Sequence, residues 1–150
     1  MMSARLTEHF NFSEFARTSR QEFAQANNDA AAGHIGNLLS LCAQLEKVRA
    51  MFHRPIFITS GFRCPELNAA VGGAPNSQHL FGLAADFVVE GFQDPTSMRF
   101  IFDWCKNNLD YRQLIFENPE GRKPWIHLGL PNGDGKREAL FWNGSEYEPA

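Results

Sequence analysis

The sequence predicts an α+β fold in which N-terminal helices pack on a mostly antiparallel sheet. Three observations support this prediction. Apolar residues recur at helical spacing in the first half of the chain. In the second half, apolar and polar residues alternate in short runs, as in strands that bury one face. Helices that precede a group of hairpin-linked strands favour α+β over an alternating α/β architecture.

Two helices are predicted in the front half of the chain. The first is short, covers residues 11–20 and is opened by Ser13. The second begins at Ile35 and ends before Pro55, because proline cannot continue a helix. Its apolar stripe consists of Leu38, Leu39, Cys42, Leu45, Val48 and Phe52.

Strands and a long loop are predicted to follow the second helix. Residues 56–59 form a β-branched run that enters a loop at Ser60. Residues 61–78 have the Gly, Pro and Asn content of a long loop with one helical turn, and such loops are usually functional. The later elements are a strand at 83–89, a helix from Pro95 to 107, strands at 112–117 and 125–130, a hairpin turn at 132–135 and a strand at 138–142.

Length and composition limit the classes of protein to which this chain can belong. A chain of 150 residues, 43% of them hydrophobic and 14 of them Phe, fits one domain over residues 1–150 with a substantial core. The formal net charge is −3 and the 14 Lys and Arg are scattered, which argues against nucleic acid as a partner. No apolar run is long enough to insert into a membrane. We expect a monomer.

The N-terminus and the cysteines indicate where the chain is made. Residues 1–10 lack the apolar core of a signal peptide, so synthesis in the cytoplasm without a signal peptide is expected. Cys42, Cys64 and Cys105 are odd in number and widely spaced. They are therefore predicted to be free thiols in a reducing compartment.

Polar side chains with acid–base or metal chemistry interrupt the predicted strands on one face. If the apolar positions face the core, then Asp86, Glu117 and His127 all face the other side. His79 lies seven residues before Asp86, and Gly82 between them allows it to fold back onto that face. Two imidazoles and a carboxylate form the ligand set of an open catalytic zinc site. By spacing alone, however, such residues are more often unrelated surface and core positions.

The sequence around His79 resembles the motif of a known family. Residues 77–86 are similar to the Ser-x-His-x-x-Gly-x-Ala-x-Asp motif of zinc D-Ala-D-Ala carboxypeptidases and related phage L-alanyl-D-glutamate endopeptidases. The matching positions are Ser77, His79, Gly82, Ala84 and Asp86. Two further elements of the family are present as Ser60-Gly61-Phe62-Arg63 and Trp125-Ile126-His127. The resemblance extends from Phe10 to Trp142.

The resemblance implies a zinc peptidase with the hedgehog-like fold of the D-Ala-D-Ala peptidases. It implies that His79, Asp86 and His127 bind Zn2+, and that Arg63 holds the substrate carboxylate or the developing oxyanion. Ser77 is expected to orient the substrate or the ligand loop, and the role of a plain turn serine is nearly as compatible. The other three histidines are expected to be structural or surface residues. The implied substrate is a peptidoglycan stem peptide or another peptide that contains D-Ala.

One position departs from the family pattern and leaves the general base open. In some branches the catalytic acid lies three residues before the last histidine, where this chain has Pro124. Proline cannot transfer a proton, so another residue must supply the base. Glu117 ends a predicted strand on the face of the zinc ligands and is the preferred candidate. The alternatives are Glu120, in a Pro-Glu-Gly turn, and the absence of any competent acid.

Three functions are compatible with these features. The first is a zinc metallopeptidase that cleaves peptidoglycan as a D-Ala-D-Ala carboxypeptidase or an L-Ala-D-Glu endopeptidase, including a phage endolysin that acts on the cell wall after release. The second, which Pro124 keeps open, is a non-catalytic zinc-containing module that binds the cell wall or belongs to a virion. The third is a cytoplasmic dipeptidase that acts on free D-Ala-D-Ala. Because zinc-bound histidines must be neutral, the activity is expected to fall below about pH 6.

Overall fold

The computed structural model describes residues 4–150, so the first three residues of the predicted domain lie outside the described part of the chain. It confirms the α+β class. The helices are α1 (Phe12–Ala16), α2 (Ala24–Ala31), α3 (Ile35–Phe52), α4 (Pro65–Ala70) and α5 (Pro95–Asn108). The strands are β1 (Arg5–Thr7), β2 (Phe10–Asn11), β3 (Ile56–Ser60), β4 (Ala84–Val89), β5 (Gln113–Glu117), β6 (Trp125–Gly129), β7 (Glu138–Trp142) and β8 (Tyr147–Pro149).

Six strands form the main sheet in the order β3-β4-β6-β5-β7-β8. Neighbouring strands are antiparallel except β5 and β7, which run parallel. The hairpin predicted at residues 132–135 is therefore wrong, because β7 lies beside β5 and not beside β6. Both edges of β6 are already paired, so the chain must cross over to reach the remaining edge of β5. Arg112 holds this crossing through ion pairs with Asp134 and Glu138, at 2.8 and 2.7 Å.

The main hydrophobic core lies between one face of this sheet and helices α3 and α5. The helices contribute Leu38, Leu41, Cys42, Leu45, Val48, Met98, Ile101, Phe102 and Cys105. The sheet contributes Ile58 and, at the alternate strand positions predicted to face inward, Phe87, Leu114, Phe116, Ile126 and Leu128. Leu83, also expected on that face, is only partly buried. Leu39 was assigned to the inner stripe from its spacing, but it is 40% exposed. Polar side chains of the strands are left for the opposite face of the sheet.

Local sequence explains where several helices begin and end. The Asp94 side chain caps α5 and Pro95 occupies its first turn, as predicted. Helix α1 is shorter than the predicted helix at 11–20, because the backbone of Arg17 is already extended. The hydrophobic pattern does not predict α2, since a polar residue, Asn27, lies on its buried side.

The cysteines are buried and unpaired. Burial raises the pKa of both Cys42 and Cys105 to about 12, so these thiols stay protonated at neutral pH. Within residues 4–150, no helix combines the length and the apolar character that a membrane span requires.

Glu46 fastens helix α3 to the hairpin formed by β1 and β2. Its carboxylate accepts hydrogen bonds from the Thr7 hydroxyl at 2.7 Å, the His9 backbone N–H at 2.8 Å and the His9 ring at 2.6 Å. Partial burial raises the pKa of Glu46, but these hydrogen bonds outweigh burial and hold the pKa below its ordinary value. The charged carboxylate therefore stabilises the folded chain.

Replacing Glu46 by glutamine is expected to lower the free energy of unfolding by about 1–2 kcal/mol at pH 7, because charge-assisted hydrogen bonds are lost. Folding lowers this pKa, so the stabilisation is complete above the unfolded-state pKa of about 4.3 and is lost as the pH falls further. Urea denaturation at pH 7 and pH 3 measures both values. A difference between variant and wild type that does not shrink from pH 7 to pH 3, or an equal loss in the exposed control Glu90→Gln, would contradict the prediction.

Candidate active site

The strand register places three of the predicted side chains on the sheet face opposite the core. Asp86 of β4 lies directly beside His127 of β6. On the other side of β6, Ile115 of β5 pairs with His127, and Glu117 pairs with Trp125. Because alternate strand residues share a face, Asp86, His127 and Glu117 project from the same side of the sheet, as predicted.

His79 reaches this group from a 3-10 turn, Gln78–Phe81. The Ser77 hydroxyl caps the turn by accepting a hydrogen bond from the His79 N–H at 3.2 Å. The turn ends at Gly82, whose positive φ of 71° favours glycine. The turn therefore returns the chain to β4 with His79 pointing at the sheet, and His79 is only 2% exposed.

Two reciprocal hydrogen bonds clamp His79 against the loop that follows β3. The His79 ring nitrogen Nδ1 lies 2.7 Å from the Gly61 carbonyl and donates its hydrogen to it. In return, the Arg63 N–H donates to the His79 carbonyl at 3.0 Å. A histidine that donates from Nδ1 has a free lone pair on Nε2, which is the arrangement seen in many metal sites.

The ligand atoms of His79, Asp86 and His127 converge on one point. Asp86 Oδ1 lies 3.5 Å from His79 Nε2 and 2.8 Å from His127 Nδ1, and the three donor atoms all lie within 4.8 Å of one another. A tetrahedral zinc ion with bonds of about 2.0–2.2 Å separates its ligand atoms by about 3.3 Å. The donor types and their spacing therefore fit zinc.

The electrostatics of this group also suit a cation. Burial alone raises the pKa of Asp86, but the imidazoles of His79 and His127 outweigh burial and hold that pKa well below its ordinary value. Burial lowers the pKa of His127, but its hydrogen bond with Asp86 and the charges of Asp86 and Glu117 raise the pKa overall. The negatively charged carboxylate of Asp86 thus lies between the ring nitrogens of His79 and His127.

Glu117 lies close to this group but outside it. Burial, followed by the negative charge of Asp86, raises the pKa of Glu117 to about 7. Its carboxylate is not among the three converging ligands. Glu120, the alternative acid, is exposed in a turn, and Pro124 is buried ahead of β6. The structure therefore brings Glu117, rather than Glu120, to the site.

Arg63 enters the site from the loop after β3. Burial lowers the pKa of Arg63, while the negative charges of Asp86 and Glu117 act in the opposite direction. Its Nη2 lies 3.5 Å from the Ser77 hydroxyl, and its buried Nε has no hydrogen-bond partner within the described chain. Arg63 as a whole is half-buried, so the rest of its guanidinium can reach a bound molecule. Ser77 contacts both Arg63 and the turn that carries His79.

Two amide side chains that the sequence analysis did not single out hold the loops of the site: Asn27 is buried and Gln78 is half-buried. Asn27 donates to the Phe62 carbonyl at 3.0 Å and accepts from the Cys64 N–H at 2.7 Å, so α2 fixes the chain on both sides of Arg63. Gln78 donates to the Leu130 carbonyl at 2.7 Å and anchors the His79 turn to β6. Both are single polar residues without a local pattern, so nothing in the sequence marks them.

Gly61 is required by a close approach between two backbones. A Cβ atom at this position would lie 2.5 Å from the Phe15 carbonyl oxygen and 2.6 Å from its Cα. The neighbouring Phe62 N–H donates to that same carbonyl at 2.7 Å. Any side chain at position 61 must therefore displace the loop whose carbonyl orients His79.

Replacing Gly61 by alanine is expected to destabilise the chain by about 1–3 kcal/mol, because backbone atoms must move to admit the methyl group. It should also weaken zinc binding about 10- to 100-fold, as loss of a group that orients a metal ligand does. Thermal unfolding and competition with a fluorescent chelator measure the two effects. The matched control is Gly33→Ala, where a Cβ would meet nothing within 4 Å. Equal behaviour of the two variants would contradict the prediction.

Comparison with known proteins adds two findings. Residues 8–117 match the family model of peptidase M15, a range that includes His79, Asp86 and Glu117 but ends before His127. The zinc D-Ala-D-Ala carboxypeptidase of Streptomyces albus G is 38% identical over 129 residues. The alignment covers 81% of this chain and 46% of that protein, so the chain spans about half the length of this curated relative.

Proposed function

Because this chain belongs to the peptidase M15 family, we propose that it hydrolyses a peptide bond in the stem peptides of bacterial peptidoglycan. Family membership confirms the predicted class, a zinc metallopeptidase, and the predicted cofactor. The observation that carries the proposal is the convergence of His79, Asp86 and His127 beside a separate, half-buried carboxylate, Glu117. That combination is what metal-assisted peptide hydrolysis requires.

We assign the zinc ligands to His79 through Nε2, to the Asp86 carboxylate and to His127 through Nδ1. When bound, zinc supplies a Lewis acid that polarises the scissile carbonyl and lowers the pKa of a water molecule. Strand pairing holds Asp86 and His127 in register, and the Gly61 carbonyl holds the ring of His79. Three protein ligands leave a position open for water and substrate.

Glu117 acts as the general base and then as the general acid. A carboxylate oxygen of Glu117 takes the proton of the attacking water and returns it to the nitrogen of the leaving amine. Burial beside Asp86 raises the pKa of Glu117 towards neutrality, where a carboxyl can both accept and return a proton. Arg63, whose N–H donates to the His79 carbonyl, balances the negative charge that develops on the carbonyl oxygen.

The finer assignments are also part of the proposal. The relative is named for action on D-Ala-D-Ala, which supports a D-Ala-D-Ala carboxypeptidase, with an L-Ala-D-Glu endopeptidase as the other type compatible with the motifs. We propose that the chain acts as a monomer in degrading the cell wall, with a phage endolysin as one biological setting. Ser77 is assigned to orientation of the His79 turn and of Arg63.

The direct test uses purified peptidoglycan and mass analysis of the released fragments. The zinc-loaded chain is expected to release D-Ala from pentapeptide stems, or to expose a new N-terminal D-Glu, depending on which bond it cleaves. A chelator should abolish the release and added zinc should restore it. If a fully zinc-loaded preparation releases no fragment from peptidoglycan or from soluble stem peptides, the proposed function is wrong.

A further inference from the structure

A cleft of about 420 Å³ lies against Asp86, one of the three proposed zinc ligands. Its walls come from β3 and the loop after β4 on one side, and from the loop between β5 and β6, residues 118–124, on the other. The residues that line it include Thr59, Ser60, Asp86, Gln93, Arg122 and Lys123. A neighbouring hollow of about 500 Å³ shares Gln93, Arg122 and Lys123 and is also lined by Asp94, the residue that caps α5.

The charges in this cleft are unbalanced. Apart from the proposed zinc ligand Asp86, the charged groups of its lining are Arg122 and Lys123, both of which are positive. Neither cation forms an ion pair with an acidic residue in the part of the chain that the structure describes. Two cations without acidic partners raise the local concentration of anionic ligands at this end of the cleft.

Arg122 is held in a defined position. Its guanidinium carbon lies 4.9 Å from the centre of the Trp125 ring, within the range of a cation–π interaction. Trp125 pairs with Glu117 in the sheet, so Arg122 lies over the residue next to the proposed base. The charge of Arg122 also opposes the rise in pKa that burial causes at Glu117. Arg122 is therefore close to the reacting groups, on a different loop from Arg63.

We propose that Arg122 and Lys123 form a carboxylate-binding subsite that selects substrates with a free carboxylate beside the scissile bond. The inference rests on the proposed function and identifies the substrate group that this site recognises. A guanidinium presents parallel N–H donors that match a carboxylate, while an ammonium adds a point charge. Arg63 remains available for the carbonyl oxygen, since it lies on the loop after β3, whereas Arg122 and Lys123 lie on the loop before β6.

Stem peptides offer two sources of such a carboxylate. One is the terminal carboxylate of D-Ala-D-Ala, and the other is the α-carboxylate of the γ-linked D-Glu that follows L-Ala. The chemistry recognised by Arg122 and Lys123 is the same for both. An experiment therefore decides which carboxylate is recognised. It uses two pairs of peptides, and in each pair one of these carboxylates is compared with its amide.

The test measures peptide binding by calorimetry to zinc-loaded protein that carries Glu117→Gln, so that no peptide is consumed. In at least one of the two pairs, the carboxylate peptide is expected to bind more tightly than the corresponding amide. Adding Arg122→Gln should weaken binding of the preferred carboxylate peptide about tenfold, the scale of one charge-assisted contact, and should leave the amide unchanged. Arg122→Lys should restore part of the loss, and Lys136→Gln, at an exposed lysine elsewhere, should cause none.

The outcomes separate this inference from the proposed function. Equal binding of acid and amide peptides in both pairs, no binding of any peptide, or a preference that survives Arg122→Gln overturns the subsite. A chain with Glu117 intact that hydrolyses acid and amide peptides equally keeps the function and loses the subsite. A chain that shows an Arg122-dependent preference but hydrolyses nothing keeps the subsite and loses the function.

Discussion

Replacing Glu117 by glutamine is expected to lower kcat for stem-peptide hydrolysis about 100- to 10,000-fold, the range lost with a general base. Glutamine has nearly the same shape but cannot accept the proton of the attacking water. Because Glu117 lies outside the three converging ligands, zinc content and KM should change little. Steady-state kinetics on a soluble stem peptide, with metal analysis of the same preparations, measure all three quantities.

The matched control for this variant is Glu120→Gln. Glu120 is the other acid near the loop of residues 118–124, but it is exposed in a turn, so its loss should leave kcat within about twofold. A large loss in Glu120→Gln and none in Glu117→Gln would reverse the assignment. If wild type and Glu117→Gln both bind the cell wall and release equally little from it, the chain is a non-catalytic zinc module, the alternative that Pro124 keeps open.

Glu117 also determines the expected response to pH. Its pKa is raised to about 7 by burial and by Asp86, so protonation on the acid side removes the base and lowers the rate. A bound cation favours the charged form of Glu117 and lowers its pKa. The loss of activity on the acid side then moves to lower pH, towards about pH 6, where protonation of the histidines that are proposed as ligands would release zinc. In metal-free protein, the pKa of Glu117 is higher in the folded than in the unfolded state. Above pH 7 the charged carboxylate is therefore more favourable in the unfolded chain and destabilises the folded one. Metal-free Glu117→Gln should therefore unfold at a higher temperature than metal-free wild type at pH 8.

Replacing His127 by alanine is expected to reduce zinc affinity more than about 100-fold, beyond the effect of losing an orienting group, and to abolish measurable hydrolysis. The variant removes one of the three proposed ligands and also the hydrogen-bond partner of Asp86 at 2.8 Å. Plasma mass spectrometry on protein purified without chelator should find about one zinc per chain in wild type and little in the variant.

The control for the ligand variant is His53→Asn, outside the site. His53 ends α3 with a φ of 55°, a conformation that asparagine tolerates better than alanine. This variant should keep its zinc and its activity. Full zinc occupancy in His127→Ala would show that His127 is not a ligand, and the assignment of the site would then fail even if activity were lost.

Much of the site follows from local sequence rules. Alternation along β4, β5 and β6 puts Asp86, Glu117 and His127 on one face, and the structure finds them there because a strand repeats every two residues wherever it pairs. Gly82 predicts the reversal that brings His79 back, and its positive φ explains why the motif has glycine at that position.

Other features escape such rules because they depend on partners distant in sequence. The turn chemistry of residues 132–135 predicts a hairpin, yet β7 pairs with β5, since β6 has no free edge. The clamp on His79 requires Gly61 to approach Phe15, and Asn27 to reach across from α2. The cation–π contact between Arg122 and Trp125 likewise depends on how the loop before β6 folds.

The sequence by itself determined which groups could perform the chemistry and which face of each strand would carry them. Those properties depend on residue type and on the alternation of side chains between the two faces, which occurs in every strand. The tertiary structure alone decided that β7 pairs with β5, that Gly61 and Asn27 hold the loops around His79, and that Arg122 and Lys123 line the cleft. Distances between residues far apart in the chain are set by strand order, by close backbone approach and by buried hydrogen bonds, and no local pattern encodes these.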